Sequence, residues 1–176
     1  MENEISKSIV SQLYLMGNPE EMKQHMELFS IDKLNSFVDR YTSEMINKFG
    51  INKVQNSIDA DNNPHDPILS YITCIMELGI LHELFHQSYA SSDEDILRKR
   101  LIFIVRSINI AVATNLKAKG LKRIPSLHMG EINIYYSWEN MAQILGRILP
   151  VASQMKDAVP NEIQTYIDNL IIEKLK

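Results

Sequence analysis

Residues 67 to 86, "PILSYITCIMELGILHELFH", carry apolar side chains on almost every side of a helix. At about 100° per residue, Ile68, Tyr71, Ile72 and Ile75 fall within about 60° of one direction. His82 and His86 fall with them, while Ile80, Leu81 and Leu84 lie opposite. A helix that is apolar nearly all round must be covered on nearly every side, which makes it the centre of a bundle. Asp66-Pro67 supplies its start, and the pattern predicts a helix from there to about Tyr89.

The rest of the chain carries the punctuation of further helices. Ile5, Ile9, Leu13 and Leu15 form a stripe over residues 2 to 15. Asn18-Pro19-Glu20-Glu21 reads as cap, N1 proline and acidic first turn of a short helix ending near Leu28. Ser30 caps a third helix that Gly50 ends. Ser92, followed by Asp93, Glu94 and Asp95, opens a helix that runs to Gly120. Ser137 with Asn140 opens another, which Pro150 should kink or break. Pro160 opens the last, with Ile163, Ile167 and Ile171 in line. Residues 51 to 66 read as the longest irregular stretch. Within 121 to 136, "EINIYY" alternates and reads as a short strand or an irregular segment. No internal repeat or linker divides residues 1 to 176, so the expected architecture is one all-α, single-domain bundle of about six to seven helices.

Composition agrees. Six glycines and six prolines in 176 residues leave little room for long loops. Ile, Leu and Met outnumber Val, which favours helix over sheet. A net charge of −4 lacks the positive field that nucleic-acid binding needs. Cys74 is the single cysteine, which rules out an internal disulfide and fits a reducing compartment. The segment "MENEISKSIV" has neither a basic nor an apolar signal region. The most apolar run, Leu101 to Ala113, is interrupted by Arg106 and is too short to span a bilayer. The expected location is the cytoplasm, without membrane association.

One motif points to chemistry. His82-Glu83-x-x-His86 resembles the zinc-binding helix of the zincin hydrolases. Two imidazoles one turn apart can hold one zinc, with Glu83 as general base on a bound water. The resemblance covers five residues. The extended zincin form has a further histidine where this chain has Ser92, so a third ligand would have to be Glu131, Glu139 or His128, and spacing selects none of them. The competing reading is a pair of neutral core histidines, each satisfied by a hydrogen bond. A di-iron bundle would need a second Glu-x-x-His, which is missing.

Other patterns are weaker. Asp59, Asp61 and Asn63 sit at positions 1, 3 and 5 of a calcium loop, but Pro64 replaces the required glycine and Ser70 the required glutamate. Arg98-Lys99-Arg100 and Lys117, Lys119, Lys122 and Arg123 form basic clusters without aromatics for base stacking. Cys74 reads as packing, and Tyr135, Tyr136 and Trp138 as core or as a partner anchor.

The leading expectation is a non-enzymatic intracellular module that binds a protein, like an inhibitor, antitoxin or immunity protein. Acidic surface would occlude a basic site on the partner. The residues expected to do so are Glu20, Glu21, Asp59, Asp61, Asp66, Asp93, Glu94 and Asp95. No cofactor and no nucleic acid are expected, and a homo-oligomer stays open. The alternative is a zinc-dependent hydrolase built on His82, Glu83 and His86.

Overall fold

The computed structural model describes residues 3–15, 17–60, 65–86, 93–122, 138–155 and 157–175. These residues form eight α-helices: α1 (Glu4–Tyr14), α2 (Pro19–Leu28), α3 (Ile31–Phe49), α4 (Ile51–Ala60), α5 (Pro67–His86), α6 (Glu94–Ala118), α7 (Trp138–Met155) and α8 (Pro160–Lys174). No strand occurs among them. The segment read as a strand, and Tyr135 and Tyr136, lie outside the described residues.

Caps fix most of the helix starts. Asn3, Asn18 and Ser30 accept from the backbone N–H of Ile5, Glu20 and Lys33. Asp66 Oδ1 accepts from Ile68 and Leu69 at the head of α5. The cap of α6 is Asp93, whose carboxylate accepts from Asp95 and Ile96. It therefore replaces Ser92 in that role, as the acceptor that reaches both free N–H groups. Leu15 is 87% exposed and leaves the α1 stripe, because α1 ends at Tyr14 and the buried line runs through Ile9 and Leu13.

Two sequence expectations fail for local reasons. Residues 51–60 are helical, not irregular. Gly50 has φ +84, a conformation that suits glycine, and ends α3 while its carbonyl accepts from Val54 to begin α4. The asparagines and aspartates of α4 hide a short buried line of Val54, Ser57 and Ile58. Gln55 holds the helix to residue 122 by donating to the Lys122 carbonyl and accepting from its N–H. The second concerns Pro150, which does not break its helix but sits inside α7. Pro150 and Gly146 are both exposed, so the carbonyl that loses its donor can turn to water. Leu145 and Ile148 dock the helix before the proline, and Val151, Ala152 and Met155 pack against the core after it.

Helix α5 is the hub. It packs against α3, α4, α6, α7 and α8, and a single hydrophobic core draws on all eight helices. Cys74 is buried within it. Among the described side chains of α5, a solvent strip runs through Ser70, Thr73 and Glu77. Glu77 closes much of that strip by accepting from Arg147 of α7 at 3.0 Å and Lys174 of α8 at 2.9 Å. On the opposite side of the bundle, α1 lies across α6 and α3. Between α3 and α6, Asn115 Nδ2 donates to Asn35 Oδ1 at 2.8 Å and to the Ala111 carbonyl, so this buried amide is satisfied.

Two helices, α5 over Pro67–Leu84 and α6 over Glu94–Ala118, are long and apolar enough to cross a membrane by length and composition. The run read as too short to span a bilayer covers only residues 101 to 113, and α6 continues beyond them. Two thirds of each stretch is buried inside the bundle, as core helices are.

Gly79 marks a close approach of the hub to α3 and α6. A methyl group there would meet Ile108 Cδ1 at 3.0 Å and Phe37 Cε1 at 3.5 Å. Gly79→Leu should force both residues aside and destabilise the fold by about 1–3 kcal/mol, read as a lower urea midpoint with an unchanged m-value. Gly79→Ala should stay near neutral, because the gain in helix propensity offsets a contact with the flexible end of Ile108.

Candidate functional site

The His-Glu-x-x-His segment forms the last turns of α5. His82 is 9% exposed and its ring lies 4.7 Å from that of Phe37, tilted by 32°. It therefore faces inward as the helical wheel predicts. Glu83 has no exposure at all, which the wheel reading did not anticipate. The His86 backbone belongs to α5, but its side chain lies outside the described set. His128 and Glu131 also lie outside the described residues, as does the side chain of Glu139, which stands in the first turn of α7. Among the described residues no three His, Cys, Asp or Glu side chains gather where they could hold a metal.

The chemistry of the motif conflicts with its burial. A catalytic zinc keeps one coordination position open to water and substrate, and its general base must reach that water. His82 and Glu83 are instead buried, and the His82 ring lies tilted against that of Phe37. The paired helix α6 adds two buried polar atoms without a hydrogen-bond partner, Arg106 Nε and Asn109 Oδ1. Asn109 is 2% exposed inside the run whose one interruption was read as Arg106.

The acidic candidates do not form one face. Asp66 is a structural residue: its carboxylate accepts from Ser57 Oγ at 2.6 Å and from two α5 backbone N–H groups. Burial pushes the Asp66 carboxyl up, but these three bonds outweigh it and hold it below the usual range. Asp59 is exposed and accepts from Gln55 at 3.2 Å, and Asp61 lies outside the described residues. Asp59 and Asp66 stand where α4 meets the head of α5, whereas Asp93, Glu94 and Asp95 open α6 just after the tail of α5. A helix of 20 residues separates the two ends, about 30 Å. Glu20 and Glu21 are exposed at the head of α2, which packs on α6 by stacking His25 on Phe103 at 4.4 Å.

A second polar centre is invisible in sequence. A cleft of about 420 Å³ opens between α3, α5 and α8. Arg40 spans it, donating from Nε to Glu44 at 3.2 Å and from Nη2 to Asp168 at 2.8 Å. The Tyr41 hydroxyl also donates to Asp168, and Gln164 Nε2 bonds both at 2.8 and 3.2 Å. Tyr71 reaches Glu44 at 3.5 Å. Burial, joined by the neighbouring carboxylates, drives both tyrosine hydroxyls far above their ordinary range. Asp168 is pushed up by burial and pulled down more strongly by Tyr41, Arg40 and Gln164, so it ends below the ordinary carboxylate range. The Arg40–Glu44 spacing of four was readable; the decisive partner, Asp168, is 128 positions from Arg40.

Since Arg40, Tyr41, Glu44, Tyr71, Gln164 and Asp168 engage one another, they work as a clamp fastening α8 to α3. Asp168 takes up its proton less readily in the fold than in the unfolded chain, so protonation favours unfolding. Its contribution is complete above the ordinary carboxylate range and drains away as pH falls below it. Asp168→Asn should therefore be less stable than the native chain at neutral pH. The gap should shrink toward zero between roughly pH 4 and pH 2, measured as urea midpoints across pH.

No protein-family model matches the chain, and neither the curated proteins nor the solved structures contain a match to it.

Proposed function

We propose that the chain is a non-enzymatic cytoplasmic module that binds a protein partner, in the manner of an inhibitor, antitoxin or immunity protein. The observation that carries this reading is the opening of α6. Asp93, Glu94, Asp95, Ile96, Arg98 and Lys99 are all exposed, while Leu97 packs against the core, so the first turns of the helix are covered on one side only. Ile96 is 44% exposed amid these charges. An apolar side chain ringed by charge provides a dry contact at the centre and steering at the rim. Glu20 and Glu21 on the adjoining α2 extend the acidic side of this end. Asp66 drops out of the proposed surface because its carboxylate is spent on the α5 cap, and Asp59 belongs to the other end of the bundle.

The test uses the full chain and a partner identified by cross-linking. Glu94→Lys with Asp95→Lys leaves the Asp93 cap in place and should slow association by about 10-fold or more at low salt. High salt should slow the native complex toward the rate of the variant. A complex indifferent to both would remove the acidic-steering mechanism.

The zinc-hydrolase alternative rests on the spacing of His82, Glu83 and His86, and the burial of the first two weighs against it. Protein purified without chelator should carry well under one zinc per chain, by elemental analysis, and should melt at the same temperature with and without chelator. Stoichiometric zinc would replace the binding reading with the metalloenzyme one.

A further inference from the structure

Helix α2 is held to the bundle by few residues. Met22 and His25 are its two buried side chains, and Met26 is partly buried against the core. The ring of His25 lies flat on that of Phe103 in α6, at 4.4 Å and 10°. Phe29, just past the end of α2, meets the same Phe103 ring edge-on at 5.2 Å. The attachment of α2 to α6 is thus an aromatic stack in which the imidazole is the ring that can take up a charge.

The surroundings of that ring suit the neutral form. Its residue is 9% exposed, so a charge there would give up most of its hydration. On α6, Lys99 and Arg100 precede Phe103 by four and three residues, which sets all three on one side of the helix. Both cations therefore flank the imidazole stacked on Phe103 and oppose a positive charge on it. Glu21, on α2 itself, favours the charge from 3.7 Å, but its side chain is 49% exposed and water weakens the pair. Lys7 of α1, which also packs on α2, is exposed and pairs with Glu4 at 3.3 Å. The Phe103 face offers a cation some attraction. Burial together with the two α6 cations outweighs these favourable contacts and holds His25 below the ordinary histidine range. His25 therefore binds a proton more readily once α2 has left the bundle. The docked state is complete above the ordinary value of 6.5 and weakens as pH falls below it.

We propose that α2 is an acid-released element: protonation of His25 lifts it off Phe103 and frees α2 from α6, while α1 and α3 keep their places in the bundle. Release carries Glu20 and Glu21 away from the opening of α6, so a partner held there is bound less tightly in acid. That last consequence rests on the partner-binding reading; the release itself does not.

The test uses the full chain alone, so it stands or falls apart from any partner. Amide hydrogen exchange followed by NMR, divided by the intrinsic rate at each pH, reads the opening of each helix. Between pH 7.5 and 5.5 the opening constants of the Met22 to Met26 amides should rise about 2- to 10-fold, while those of Ile75 and Ile108 stay level. His25→Phe keeps a ring on Phe103 with no proton to take up, and the rise should vanish. Glu21→Gln removes the favourable carboxylate and should steepen the rise. Lys99→Gln removes an opposing cation and should flatten it. Glu21 and Lys99 are both exposed, so these two variants decide the matter even where His25→Phe does not fold. The proposal is overturned by a flat opening constant in the native chain, by a rise that persists in His25→Phe, or by charge variants that fail to shift the rise in opposite directions.

Discussion

The crossing of α5 with α6 and α3 at Gly79 is the constraint on which the rest of the bundle depends. Glycine within a helix costs about 1 kcal/mol relative to alanine. Here it lets Ile108 and Phe37 come within van der Waals reach of the α5 backbone. Once α5 is held that closely, its other sides must be covered too, and α4, α7 and α8 supply the cover. The two polar residues one turn beyond the crossing, His82 and Glu83, have no solvent face left to occupy. Their burial follows from the position of the helix, and it weighs against the open water site that a zincin motif would need.

The central helix was legible because it depends on a property local in sequence, a stretch of apolar residues with no polar side. Caps were legible for the same reason: Asn3, Asn18 and Ser30 act within three residues of their own position. The identity of α5 as hub followed from its pattern alone, whereas its neighbours did not. The short helix α4 was obscured because its residues favour turns when considered one at a time, and only the burial of Val54 and Ile58 overrides that preference. Pro150 misled for a related reason, since the cost of a proline depends on whether the orphaned carbonyl can reach water.

The polar centres were legible only in part. His82 and Glu83 announce themselves by spacing. Asp168, Tyr41 and Gln164 meet only through the packing of α8 on the bundle, and no periodicity links residue 41 to residue 168. The acidic residues show the opposite problem. Asp66 and Glu94 look alike in a charge count, but one carboxylate accepts three hydrogen bonds at a helix head and the other stands in solvent. Composition reports how much charge there is, and the fold decides which charge is free to meet a partner.

Two kinds of attachment follow from this arrangement. Helices α1, α3, α5 and α6 share broad apolar faces, and the bond between Asn35 and Asn115 sits inside that packing. Helices α7 and α8 each present a narrower apolar line, such as Ile163, Ile167 and Ile171, and add ions at the edges. Glu77 gathers Arg147 and Lys174, while Arg40 holds Asp168. Such exposed pairs are worth about 0–1 kcal/mol each and are screened by salt. They therefore set where α7 and α8 sit more than how firmly they are held. The bundle is thus graded, with a core of packed helices around Gly79 and a rim fastened by paired charges. Local opening costs least where apolar contacts are fewest, which places it in α2 and in the last two helices, outside the packed core.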